Sequence, residues 1–138
     1  MAETLREGAS FTITRLVAES DLASSLSPDP EDRFPRVFAT ARMVAMMELT
    51  AARLMRPLLG KGELSVGVSI DVVHEAATPP GVEVKTTARF LGTEGKTFLF
   101  EVTAEDPGGR IGAGKHRRAI VTDERLVSGA AKRMGGSR

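Results

Sequence analysis

The sequence predicts an α+β domain, a five-stranded antiparallel sheet wrapped around one long central helix. Three observations carry that expectation. Residues 38–59, FATARMVAMMELTAARLMRPLL, are an unbroken run dominated by strong helix formers. Four segments of alternating apolar and polar residues follow it, most of them joined by turn sequences. One more alternating segment precedes it.

In chain order, residues 8–18 set Phe11, Ile13 and Val17 against Thr12, Thr14 and Leu16, which reads as a first strand. Residues 19–36, ESDLASSLSPDPEDRFPR, are rich in Ser, Asp and Pro and suit a long surface loop with a short helical turn. The helix comes next, with Pro35 before it, Pro57 near its end and Gly60 as its stop. Its apolar residues, among them Met43, Val44, Met46, Met47, Leu49 and Leu54, cover most of its circumference, so it should be packed on several sides. In residues 63–75 the even positions Leu64, Val66, Val68, Ile70 and Val72 are apolar and the odd ones from Glu63 to Asp71 polar or glycine; the same parity puts His74 on the core face. ATPPG then leads to Val82, Val84, Ala88 and Phe90, and GTEGK turns the chain onto Phe98, Phe100, Val102 and Ala104. DPGG makes the last turn, before a strand over 110–123 whose Gly112 and Gly114 signal a bulge or a close backbone approach. Residues 124–138 read as a frayed tail, and residues 1–138 as one domain.

Composition narrows the function. With no cysteine, disulfides, thiolate metal sites and cysteine nucleophiles are ruled out. The N-terminus lacks the pattern of a signal peptide and no long apolar stretch exists, so the expectation is a cytoplasmic protein with no membrane partner. A net charge of +1 and the absence of Trp and Tyr argue against a nucleic-acid partner, although Lys115, His116, Arg117 and Arg118 form a local basic cluster. A helix apolar on all sides needs more cover than one sheet supplies, which predicts a homodimer.

Three side chains stand out, each with a plain alternative. Glu48 has Val44, Ala45, Ala51 and Ala52 as helical neighbours and no counter-charge among them; it is an exposed or structurally paired glutamate, or a carboxylate with a chemical role. His74 is a satisfied core histidine or a base. Thr40, at the mouth of the helix, is a capping residue or a nucleophile.

The segments VFATxxMVxxMExxA (37–51), GVSIDVVHEAATPPG (67–81) and GAGKHRRAIV (112–121) resemble the fluoroacetyl-CoA thioesterase family of small acyl-CoA thioesterases, which have the hot-dog fold. The likeness includes the eight-residue step from Thr40 to Glu48 and the 26-residue step from Glu48 to His74. It implies that Thr40, Glu48 and His74 are catalytic and that Gly67 and Arg118 bind substrate. Members that handle fluoroacetate have paired aromatics just before the helix; here the segment reads Glu31, Asp32, Arg33, Phe34, so only Phe34 remains as a substrate-binding candidate.

The resulting expectation is hydrolysis of a short-chain acyl-CoA to free acid and CoA. It requires no cofactor beyond the coenzyme A of the substrate, and His74 and His116 lack the spacing of a metal site. Two other readings fit the same fold. One is an acyl-CoA hydratase or dehydratase, which needs no hydroxyl nucleophile. The other is a non-catalytic acyl-CoA-binding module.

Overall fold

The computed structural model describes residues 4–135. Its five strands are β1 (Ser10–Leu16), β2 (Glu63–His74), β3 (Glu83–Glu94), β4 (Thr97–Asp106) and β5 (Gly109–Thr122); the helices are α1 (Thr40–Met55) and α2 (Asp123–Arg133). The strands form one antiparallel sheet in the order β1-β3-β4-β5-β2. Two hairpins, β3–β4 and β4–β5, make its centre, and β2 returns along the far side of β5 to become an edge.

The sheet wraps one side of α1. Met43, Met47, Ala51, Leu54 and Met55 are buried there against Val84, Ala88, Phe90, Phe100, Val102 and Ile111. The opposite side stays open in the single chain: Ala41 and Ala45 are exposed, and Val44, Glu48 and Ala52 only partly covered. Their spacing places them in one stripe. A buried hydroxyl pair between helix and sheet is satisfied, since Thr50 Oγ1 donates to the Met46 carbonyl at 2.7 Å and meets Thr86 Oγ1 at 2.6 Å.

Three expectations change. The helix is shorter at both ends: Ala39 is extended, and residues Arg56–Leu58 form a 3₁₀ turn beginning beside Pro57. The unbroken alternation expected along β2 is interrupted by a bulge between Gly67 and Ser69. Gly67 lies opposite Arg118 and Ile70 opposite His116; as Arg118 and His116 are two apart on β5, they share a face, and so do Gly67 and Ile70. Ser65 and Gly67 therefore face α1 before the bulge, and Ile70, Val72 and His74 after it, whereas Leu64 and Val66 turn to the other face. His74 keeps its inward position, but the parity that reaches it starts only at Ile70.

The third change is the C-terminal segment, which is a helix over Asp123–Arg133 and not a frayed tail. Asp123 and Glu124 in its first turn and Lys132 and Arg133 in its last complement the helix dipole. None of its residues is buried, so no apolar periodicity marked it in the sequence. Residues 136–138 of the expected tail lie outside the described residues.

Candidate active site

Thr40 is the first residue of α1 and His74 the last of β2. Backbone bonds just before Thr40 and just after His74 hold the two ends in place. Phe38 N–H donates to the Thr78 carbonyl (2.8 Å), Ala39 N–H to the Asp21 carbonyl (2.9 Å) and Glu75 N–H to the Ile111 carbonyl (2.6 Å). Gly112, opposite His74, lets α1 come close: a Cβ there would lie 2.6 Å from Met43 Sδ. The close backbone approach expected at this glycine is therefore between helix and sheet.

Thr40 Oγ1 lies 2.7 Å from His74 Nδ1. The hydroxyl is free for that contact because Thr40 does not cap the helix; Ala39 holds the cap position and makes no side-chain bond. His74 Nε2 is buried without a partner, so the ring meets its surroundings through Nδ1 alone. Among the described residues, the N–H groups of Thr40 and Ala41 have no backbone acceptor, leaving two donors at the positive end of the helix dipole. A cleft of about 350 Å³ opens over this pair, bounded by Pro35, Phe38 and Ala76.

Glu48 belongs to a second cluster. Its Oε1 accepts from Arg118 Nη1 at 3.3 Å, and its side chain remains 44% exposed. A Cβ on Gly67 would lie 2.7 Å from that oxygen, so the missing side chain makes room for the carboxylate. Arg118 is buried; its Nε–H donates to Ser65 Oγ (3.0 Å), Nη2 to the Ser65 carbonyl (2.9 Å) and Nη1 also to His116 Nε2 (3.1 Å). Burial weakens its hold on its proton, while the adjacent Glu48 charge and hydrogen bond strengthen it. Of five guanidinium N–H groups, four are engaged within the chain and one is left.

The six predicted site residues thus divide. Thr40 and His74 meet, as do Glu48, Gly67 and Arg118. The expectation that Glu48 and His74 share one pocket is not met within a single chain, for they line separate clefts. Eight residues of helix put about 12 Å of rise between the positions of Thr40 and Glu48. Phe34, half-exposed in the connection before α1, lines neither cleft. Ser65 and His116 went unnoticed in the sequence as members of the cluster. The alternation of β5 was the available signal, because it places His116 beside Arg118 on the inner face and turns Lys115 and Arg117 outward. Among the described residues, no three His, Asp or Glu side chains gather as a metal site, and no helix is long and apolar enough to cross a membrane.

Comparison with known proteins bears on the family and the fold. The family model described as fluoroacetyl-CoA-specific thioesterase matches residues 17–124. The fluoroacetyl-CoA thioesterase of Streptantibioticus cattleyicolor is 39% identical over 128 residues, covering 91% of this chain and 92% of that protein. A crystal structure of a point mutant of the fluoroacetyl-CoA-specific thioesterase superposes with a TM-score of 0.90 at 38% identity, over 95% of this chain and 98% of that one. A hot-dog-like protein from Thermanaerovibrio acidaminovorans superposes with a TM-score of 0.82 at 26% identity, over 96% and 95% of the two chains.

Proposed function

The chain belongs to the fluoroacetyl-CoA-specific thioesterase family, and on that premise we propose how its own residues hydrolyse a short-chain acyl-CoA. The observation that carries the reading is the 2.7 Å contact between Thr40 Oγ1 and His74 Nδ1 beside a free helix N-terminus. Thr40 Oγ attacks the thioester carbonyl carbon and passes its proton to His74 Nδ1. The N–H groups of Thr40 and Ala41 are the nearest donors for the oxyanion. Collapse of the adduct breaks the C–S bond, and His74 returns the proton to the departing CoA sulfur. Water then hydrolyses the acyl-Thr40 ester and releases the free acid. Glu48, a half-exposed carboxylate with one guanidinium partner, is the base for that water. No cofactor enters apart from the coenzyme A of the substrate.

The active unit in this proposal is a homodimer. Edge strand β2 has no neighbour on its outer side, and the stripe of Ala41, Val44, Ala45, Glu48 and Ala52 is uncovered. A second copy docked there covers the stripe and brings Glu48 of one protomer to the Thr40–His74 cleft of the other, which the 12 Å of helical rise prevents within one chain. Gly67 and the remaining Arg118 N–H complete the substrate contacts near Glu48. With Phe34 as the sole aromatic of the segment Glu31 to Phe34, the paired aromatics of fluoroacetate-handling members are lacking, and the preference is for short unfluorinated acyl groups. The cytoplasm, which contains acyl-CoA, is the proposed location.

Release of free thiol from acetyl-, propionyl-, butyryl- and fluoroacetyl-CoA tests the reading. Turnover of the unfluorinated esters is expected. Saturable binding of all four with no thiol release would leave the acyl-CoA-binding module in its place.

A further inference from the structure

His116 is 1% exposed, lies on the inner face of β5, and has no part in the chemistry above. Both of its ring nitrogens are nevertheless engaged. Nδ1 is 2.8 Å from the Ser69 carbonyl, which can only accept, so Nδ1 carries the proton. Nε2 is 3.1 Å from Arg118 Nη1, which can only donate, so Nε2 is bare. Two partners of fixed polarity thereby select one tautomer, the neutral ring protonated at Nδ1. The bulge between Gly67 and Ser69 lies where the Ser69 carbonyl meets the ring.

We infer that His116 is a positioning residue for thioester hydrolysis: its bare Nε2 holds the Arg118 guanidinium in the orientation that steadies the Glu48 carboxylate. This rests on the reading of Glu48 as the base for water. The Arg118–Glu48 contact alone is a weak fixture, since it is 3.3 Å long and the Glu48 side chain is 44% exposed. Three other contacts define the guanidinium plane: Ser65 Oγ at Nε, the Ser65 carbonyl at Nη2 and His116 at Nη1. Only the last acts on the nitrogen that reaches Glu48, so its loss frees that end of the fork to swing. Displacing a reacting group by about 1 Å can cost a hundredfold in rate.

The surroundings keep the ring neutral. The charged groups facing it are Arg118 on β5 and Glu48 on α1; β4 offers the Phe100 ring, centroid 6.5 Å away, and β2 the Ser69 carbonyl and Ile70. Burial lowers its proton affinity most and the Arg118 charge lowers it further, against the opposing effects of the Ser69 bond and Glu48. Protonation at Nε2 would turn the acceptor into a donor facing Arg118, and would set two cations side by side.

Two measurements on the full-length protein test this. In ¹⁵N-resolved NMR of the imidazole nitrogens, His116 should be neutral and protonated at Nδ1 at pH 7; an imidazolium or an Nε2–H tautomer overturns the inference. In kinetics, His116→Leu should lower kcat about tenfold with KM within about threefold, while His116→Gln, which keeps an acceptor near Nε2, should retain most of the rate. In a Glu48→Gln background the leucine change should cost nothing further, because its effect passes through Glu48. Additive losses in the double variant, or a folded His116→Leu protein with the wild-type kcat, overturn the inference. Should the leucine variant fail to fold, loss of kcat equal to Glu48→Gln in the folded His116→Gln protein would also count against it. A Glu48→Gln enzyme with unimpaired kcat is a separate result, for it removes the reading of Glu48 itself.

Discussion

Thr40 and His74 are joined by a 2.7 Å contact between Oγ1 and Nδ1, although 34 residues separate them in the chain. Because the His74 ring has no other hydrogen bond among the described residues, its effect on the reaction has to pass through that contact. His74→Ala should cut kcat by about a hundredfold or more while the fold persists. Thr40→Val should do the same if the hydroxyl attacks, and much less if water does. The double variant should lose little beyond the worse single one. Steady-state rates with circular dichroism as the fold control decide it, and a folded His74→Ala enzyme of near wild-type rate removes the mechanism.

Gly112→Ala should act on the same pair indirectly. The added Cβ would sit 2.6 Å from Met43 Sδ and 2.9 Å from the Val73 carbonyl, so α1 must lift or the strand must move. Overpacking of this kind costs about 1–3 kcal/mol, and here it also stretches the Thr40–His74 contact. Stability and kcat should fall together in denaturant titrations and assays; unchanged values in both would mean that Met43 and the Val73 carbonyl give way without disturbing the Thr40–His74 pair.

How far the sequence was legible follows from what each signal depends on. The helix and the two hairpins rest on local composition and turn residues and were readable, whereas Thr40, Glu48 and His74 stood out as a set only through the family resemblance. The bulge at Val68 was not, because an apolar residue fits either face of a strand and nothing in GVS marks an extra residue. That one residue sets Gly67 towards Glu48 and the Ser69 carbonyl against His116. The separation of Glu48 from His74 was equally hidden, since periodicity gives the face of an element but not the distance along it at which two elements cross. His116 sat in plain view within a basic cluster, and only the inward parity of Arg118 distinguishes it from Lys115 and Arg117.

Asp21 should make the protein acid-sensitive. It is 1% exposed; burial alone would raise its pKa, but the hydrogen bonds from Arg15 and the Ala18 N–H, with the charges of Arg15 and Arg42, together hold it below the ordinary 3.8. A carboxylate with a lowered folded-state pKa contributes stability above its unfolded value and loses it as pH falls through the folded one. Wild-type stability should therefore drop below about pH 4, whereas Asp21→Asn should be less stable at pH 7 and flatter in that acid window. Equal acid slopes for the two proteins, in unfolding curves at matched concentration, would assign the sensitivity elsewhere.

Arg118→Ala removes four hydrogen bonds made inside the chain as well as the one N–H left for a ligand. If substrate binding were its whole role, KM alone would rise. The buried network argues for more: kcat should fall about tenfold or beyond, and stability should drop by about 1–3 kcal/mol as Ser65 and His116 lose their partner. A raised KM with kcat and stability unchanged would make Arg118 a binding residue only.

The proposed sharing of the active site gives the last prediction, and it needs two inactive proteins. In Thr40→Val the Glu48 carboxylate is intact, and in Glu48→Gln the Thr40–His74 pair is intact. If each site draws Thr40 and His74 from one protomer and Glu48 from the other, a mixed dimer contains one site with all three groups and one lacking both Thr40 and Glu48. Random exchange makes half of the dimers mixed, so the mixture should recover about a quarter of wild-type activity from two parents that have almost none. Co-expression with two affinity tags, followed by tandem purification, isolates the mixed dimer, whose activity should then be about half of wild type. Sites complete within one protomer would give no recovery at all, since each chain has its own defect. An inactive purified mixed dimer would therefore overturn the shared site and, because Thr40 and Glu48 stand about 12 Å apart along one helix, the reading of Glu48 as the base for water at Thr40.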